Sequence, residues 1–184
     1  MWIILLIIPI LILLWVMATY NGLVALRNQV QNAWKQIDVQ LKRRHDLIPN
    51  LVETVKGIMK FEQDTLVKVM EARAKAVSAG TVAEKGAAEG ELSGALGRLL
   101  AVFERYPEIK SNQNVTQLQE ELTTTENQIG FSRQHYNDLV MRYNTRQQVF
   151  PANMIAGAFR FTPAEFLEIA PAEREVPRVD LKIS

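Results

Sequence analysis

Residues 23–55 read LVALRNQVQNAWKQIDVQLKRRHDLIPNLVETV, with apolar positions at Leu23, Leu26, Val30, Trp34, Ile37, Leu41, Ile48, Leu51 and Val55. Steps of three and four dominate, which places these side chains on one stripe of a helix with coiled-coil-like spacing. The stripe continues through Ile58, Leu66 and Val69, so the spacing predicts helix to about Val77. Pro49 interrupts it. A proline removes one backbone N–H and crowds the preceding turn, which predicts a kink or break near His45 to Ile48, with helix resuming at once. If Pro49 only kinks the chain, this first soluble stretch would run ~85–90 Å at ~1.5 Å per residue.

Working outward toward the N-terminus, Met1 to Thr19 contains no charged side chain. About 19–20 apolar residues at ~1.5 Å each match a hydrocarbon core of ~30 Å, so residues 1–20 read as a transmembrane helix. Trp2 lies at one end, with Trp15 and Tyr20 near the other, where amphipathic rings favour the interface. Pro9 lies inside, and membrane helices tolerate proline better than soluble ones. The competing reading is a cleaved signal peptide, with Val16-Met17-Ala18 as the cleavage-like site. The segment before the apolar run lacks Lys or Arg, and the run exceeds the usual ~7–15 residues, which favours a retained anchor. Only Tyr20-Asn21-Gly22 separates span from stripe, so the anchor reads as the first turns of one long helix. Arg27, Lys35 and Lys42 to Arg44 follow the span and none precede it. The positive-inside rule then places the bulk of the chain in the cytoplasm, the periplasmic side being the alternative.

In the other direction, residues 78–94 turn to Gly, Ala, Ser and Glu and read as a flexible connection with a frayed helical start. A second helix is expected from about Glu91 to Tyr106, with Leu92, Leu96, Leu99, Leu100 and Phe103 inward and Pro107 ending it. Asn114 with Gln117 three residues on has the pattern of a capping box. The same Asn114-Val115-Thr116 is a glycosylation sequon, but the cap explains it more simply. The third helix carries Leu118, Leu122, Thr125, Ile129, Tyr136, Val140, Tyr143 and Gln147 on one stripe and stops at Pro151. Beyond it, Met154, Ile155, Phe159 and Phe161 form an apolar group. Thr162-Pro163-Ala164-Glu165 has the form of another capping box, which predicts a short helix through Ile169. The tail, residues 171–184, is proline-interrupted, with Val179, Leu181 and Ile183 alternating. No other strand signal of any strength is present. The fold class is therefore all-α: a transmembrane helix continuing into an antiparallel bundle over residues 21–170, built from three long helices plus one or two short ones.

The chain has 184 residues, 21 Lys/Arg against 20 Asp/Glu, and no cysteine. The near-neutral balance argues against nucleic acid as partner, and the missing thiols exclude disulfides and cysteine chemistry. Charge is uneven, with ten Lys/Arg and six Asp/Glu in residues 21–80 and eleven against fourteen afterwards. A basic helix packed on acidic later helices explains this more simply than a headgroup-binding patch, since only Lys42, Arg43 and Arg44 are adjacent. His45 and His135 are the two histidines, preceded three residues earlier by Lys42 and Ser132, so the di-iron Glu-x-x-His pattern is absent. No HExxH, GxSxG, P-loop or GxGxxG motif occurs either. Catalytic, metal and cofactor residues are accordingly not assigned, and the expectation is a protein that is not an enzyme.

The polar cluster at the proline is the most informative group: Asp38, Gln40, Arg43, Arg44, His45, Asp46, Pro49 and Asn50, one turn beyond Trp34. Asp38–Lys42 and Asp46–Asn50 are i,i+4 neighbours, and Gln40 and Arg44 are spaced to share a hydrogen bond. Arg44 and His45 fall where the apolar stripe should continue between Leu41 and Ile48. They should therefore face a partner helix, and a buried charge needs an acceptor. Glu121, Glu126 and Asn127 of the third helix are the candidates. The simpler reading is a polar layer that fixes helix register at the kink; the sharper one is a notch for a ligand or partner.

Tyr20-Asn21-Gly22-Leu23-Val24, Arg27-Asn28, Ala33-Trp34, Ile37 to Val52, Thr54-Val55-Lys56-Gly57 and Glu71-Ala72-Arg73 closely resemble the LemA family. So do Ala95 to Leu99, Leu118 to Leu122, Thr125-Glu126-Asn127, Tyr136-Asn137, Tyr143-Asn144 and Phe150-Pro151, and the likeness covers roughly residues 20–170. Ile58, Phe61 and Arg160 depart from it, standing where tyrosine, histidine and glycine are usual. The resemblance implies a bacterial cell-membrane (inner-membrane) protein with one membrane helix and a helical bundle, and it implies no enzymatic activity.

Three functions follow as expectations. The first is a non-enzymatic membrane-anchored scaffold that forms a homo-oligomer and presents a helical surface to other membrane or cytoplasmic proteins. Its oligomerisation is expected because the later helices look too short to cover the long apolar stripe, and because the third helix is rich in Gln and Asn. The second is a signalling or adaptor module with Pro49 as transmitting element. The third is an enzyme using Arg44, His45 and Asp46.

Overall fold

The computed structural model describes residues 2–59 and 62–168, with side chains from residue 7 onward. The described residues form six helices: α1 (Trp2–Lys56), α2 (Gln63–Ser78), α3 (Val82–Phe103), α4 (Pro107–Lys110), α5 (Gln113–Gln148) and α6 (Ala152–Ala158). No strand occurs among the described residues, and the all-α expectation holds. The expected tail, with Val179, Leu181 and Ile183, lies outside the described residues, as do Phe61 and Ile169.

Helix α1 runs unbroken through Tyr20-Asn21-Gly22 and through Pro49. The span and the apolar stripe are thus one helix, as the missing linker implied. Its N-terminal part is long and apolar enough to cross a membrane. The stripe read from spacing is the buried face: Leu23, Ile37, Ile48, Leu51 and Val55 are fully enclosed, with Val30 and Leu41 nearly so. That finding removes the argument from an uncovered stripe, since the chain itself covers it.

Four boundaries differ from expectation. The helix expected to reach Val77 ends at Lys56, where Ile58 and Met59 both donate to the Val55 carbonyl, and α2 begins at Gln63. Apolar spacing is blind to this turn because Val55, Leu66 and Val69 enter the same core on either side of it. Residues 82–94, expected as part of a flexible connection, are the first half of α3. Thr81 caps it by accepting from the Glu84 N–H while the Glu84 carboxylate takes the Thr81 N–H, both at 3.0–3.1 Å. The Thr81 and Gly80 N–H groups, both donating to the Glu84 carboxylate, hold it below its usual range. For α5 the capping side chain is Asn112, whose Oδ1 accepts from the Asn114 and Val115 N–H groups, so Asn114 is inside the helix. Finally, residues 161–168 are not helical. Asn144 grips Ala164 from both sides, donating to its carbonyl and accepting from its N–H at 2.9 Å each, and the Tyr136 hydroxyl donates to the Glu165 carbonyl at 2.8 Å. Side chains of α5 take the backbone groups that a helix would have paired.

The chain divides into two compact units: Met1–Leu41 with Glu126–Phe166, and Lys42–Thr125 with Leu167–Ser184. In the first, Trp34 packs on Tyr136 with ring centroids 5.3 Å apart and Arg27 acts on Tyr143, so α1 and α5 run antiparallel. Burial, then the nearby Glu165 carboxylate, push the Tyr136 phenol up, which keeps it a hydrogen-bond donor. In the second, Lys75 of α2 bonds both carboxylate oxygens of Glu91 in α3 at 2.7 Å, and these helices form an antiparallel hairpin. Ile48, Leu51 and Val55 of α1 pack there with Leu92, Leu99 and Phe103 of α3.

Candidate functional site: a buried charge layer

Within the second unit the stripe of α1 delivers two polar side chains to the interior. Arg44 is 1% exposed and His45 9%. Their acceptor is Glu89 of α3, from the segment expected to be a connection. The Arg44 Nη2 donates to Glu89 Oε2, the His45 Nε2 lies 2.7 Å from Glu89 Oε1, and the Arg44 Nη1 donates to Ser93 Oγ at 3.0 Å. Glu89 and Ser93 are one turn apart on α3, and the fully buried positions beside them are Ala88 and Leu92.

Burial pushes the Glu89 carboxyl up, but the His45 hydrogen bond and the Arg44 charge outweigh it and hold the group below its usual range. An ionised Glu89 only accepts, so His45 presents Nε2–H to it. One carboxylate thus bridges two consecutive residues of α1, one oxygen for each.

A second bond explains why Pro49 does not end the helix. Proline at position 49 has no N–H for the carbonyl four residues earlier, which belongs to His45. Arg73 of α2 supplies the donor: its Nε lies 2.6 Å from the His45 oxygen. The residue before the orphaned turn, Arg44, and the orphaned residue itself, His45, are therefore held from α3 through their side chains. The His45 carbonyl is held from α2.

The other expected residues are placed as follows. Arg43 is half exposed and lies 3.7 Å from Glu121 across to α5, while Lys42, Asp46 and Asn50 face solvent. Pro49, Trp34, Asp38 and Glu126 are half-buried and Asn127 is exposed. The Gln40 Oε1 is buried with no hydrogen-bond partner among the described residues, so it is not an acceptor for Arg44. Spacing on α1 marked Arg44 and His45, but it missed Glu89, Ser93 and Arg73. Thr81-x-x-Glu84 was the available signal for Glu89, because that capping box starts α3 early enough to make Glu89 a helical residue. Chemically the layer turns its polar groups on one another: the guanidinium, imidazole and carboxylate join α1 to α3, and Arg73 adds α2 through the His45 carbonyl.

Comparison with known proteins fits this architecture. The chain is 26% identical over 166 residues to Protein LemA of Metamycoplasma hominis, covering 89% of this chain and 74% of that protein. It is 26% identical over 179 residues to Magnetosome protein MamQ 2 of Paramagnetospirillum magneticum, and 24% to MamQ of Magnetospirillum gryphiswaldense. In both cases 83% of this chain is covered but only 66% of the relative, so the chain spans about two thirds of those proteins. None of these names designates an enzymatic reaction. The LemA family profile matches residues 33–181, which takes in α1 from Ala33 and every later helix, and the chain belongs to the LemA family.

Proposed function

We propose that this protein is a membrane-anchored, non-enzymatic helical scaffold of the bacterial cell membrane that self-associates. The observation that carries this is the continuity of α1 from its apolar N-terminal part to Lys56. No charged residue occurs from Ile7 to Leu14, and the Ile and Leu side chains there are 46–59% exposed, as lipid-facing side chains are. The same helix then supplies the enclosed stripe of both units, so whatever the bundle holds is held by the anchor itself. The cationic residues after the span support a bundle on the cytoplasmic side under the positive-inside rule, the periplasmic side being the alternative.

Self-association is supported by large apolar side chains left in the open on α5, Phe131 at 73% and Met141 at 53% exposure. Crosslinking of the full chain in native membranes tests it: discrete dimer or higher bands are expected. Monomer alone at every reagent level overturns that part of the proposal and leaves the anchored scaffold standing. A second reading, an adaptor whose Pro49 turn transmits state, is favoured by the Arg73 bond to the His45 carbonyl. That bond makes the proline turn answerable to the position of α2.

A further inference from the structure

The first unit carries a second apolar surface, apart from the anchor. Packing of α1 begins inside the uncharged N-terminal run: Ile7 to Trp15 are open, whereas Thr19 and Leu23 are buried. The residues that meet α1 at this level come from the end of α6. The ring of Tyr20 lies 4.8 Å from that of Phe159 and 5.7 Å from that of Phe161, and the Arg27 guanidinium sits over Phe161 at 5.5 Å. The loop after α6 is therefore fixed beside the point at which α1 leaves a bilayer.

α6 faces inward with alanines, Ala152 and Ala156, and outward with larger apolar groups. Phe150 is 80% exposed, Met154 65% and Phe159 55%. No charged residue occurs from Gln147 to Phe159, and exposed Arg146 and Arg160 close the run at both ends. Arg160 holds φ 55°, the left-handed region. It occupies the C′ position of a Schellman motif, in which Phe161 N–H reaches the Ala156 carbonyl and Arg160 N–H the Gly157 carbonyl. Glycine is the unstrained residue there, yet a cation stands at it, at the edge of an apolar surface.

We infer that α6 with its flanks, Val149 to Arg160, is an interfacial membrane element that lies in the headgroup region of the bilayer crossed by α1. Phe150, Met154 and Phe159 enter the acyl boundary, and Arg146 and Arg160 meet lipid phosphates. The Tyr20 stack on Phe159 and Phe161 fixes the depth, since Tyr20 is itself at the end of the span. This rests on the reading of the N-terminal segment as an anchor.

The chain has no cysteine, so single spin labels report cleanly. The full-length protein is reconstituted in vesicles of mixed zwitterionic and anionic phospholipid, and labels are placed through Phe150→Cys, Met154→Cys and Asn153→Cys. Asn153 is exposed on α6, and labelling it leaves both apolar residues in place. Leu11→Cys is the reference in the span. Val39→Cys is the reference for an exposed apolar position on the same helix, ~28 Å beyond Tyr20 at ~1.5 Å per residue. Oxygen over nickel-chelate accessibility at the three α6 sites is expected to exceed that at Val39 severalfold and to fall below that at Leu11. Leu11 lipid-like with α6 sites equal to Val39 overturns the inference while the anchor stands. A water-like Leu11 overturns the anchor and the inference with it. α6 sites shielded from both reagents, with dipolar broadening between labels, assign the surface to a second copy and also overturn it.

Discussion

Glu89 sets the balance of the buried layer, because it carries the negative charge that both Arg44 and His45 face. Removing one partner of a buried pair leaves the other charge desolvated without compensation, which costs about 3–5 kcal/mol. Glu89→Leu is expected to lose stability in that range, measured by denaturant unfolding of the purified protein. Arg44→Met added to it should recover much of the loss, since an apolar pair of similar volume is often neutral or better. If the double variant is no more stable than Glu89→Leu alone, burial of the Arg44 charge is not what makes the single change costly. The same pair gives a pH signature. The folded-state carboxyl lies below the ordinary value of 4.5, so Glu89 stabilises fully above that value. The contribution then falls as pH drops through the lower folded value, where the native state gives up the advantage of binding fewer protons. The stability difference between wild type and Glu89→Gln should accordingly shrink in acid.

At the scale of elements, α1 contains a proline that should cost about 3 kcal/mol in a helix interior, and yet the helix continues. Part of that cost is the orphaned His45 carbonyl, which Arg73 satisfies from α2. A hydrogen bond to a charged group contributes about 1.5–3 kcal/mol, so Arg73→Ala is expected to destabilise by that order. Pro49→Ala restores an N–H to the same carbonyl. In that background Arg73→Ala should cost less, with a coupling of about 1 kcal/mol or more in a double-mutant cycle. Equal costs in the two backgrounds would place the role of Arg73 elsewhere. The spacing of Leu41, Ile48 and Leu51 made the buried side of α1 legible, and with it the inward aim of Arg44 and His45. Their acceptor was not legible in the same way. Gly86, Gly90 and Gly94 lower helix propensity enough to mask α3, whereas the Thr81–Glu84 cap and the enclosure of Leu92 and Leu99 outweigh them. The Thr162-Pro163-Ala164-Glu165 capping pattern failed for the opposite reason. A local signal worth about 1 kcal/mol lost to three hydrogen bonds from Asn144 and Tyr136, residues some twenty to thirty positions away in the chain.

For the molecule as a whole, class and anchor were legible because each rests on a long, redundant pattern: an uncharged run that lasts until Arg27 and a stripe that repeats through every long helix. Helix lengths, by contrast, were no guide to whether a second copy is needed, because they say nothing about which faces meet. The structure also locates where the anchor stops being separable from the fold. Ile7 to Leu14 and Met17 are open, while Thr19 and Leu23 are enclosed and Tyr20 stacks on Phe159 and Phe161. Deleting residues 2–17 should then leave the helical bundle with an unfolding midpoint close to that of the full chain in the same detergent. Deleting residues 2–23 removes Leu23 as well, a fully buried side chain whose loss alone costs about 2–5 kcal/mol, together with the Tyr20 stack. Circular dichroism melts of the two deletions distinguish the cases. Equal midpoints would mean that the bundle closes without the turn containing Thr19, Tyr20 and Leu23. A lower midpoint for the longer deletion alone sets the boundary between anchor and bundle inside α1, within one turn of Tyr20.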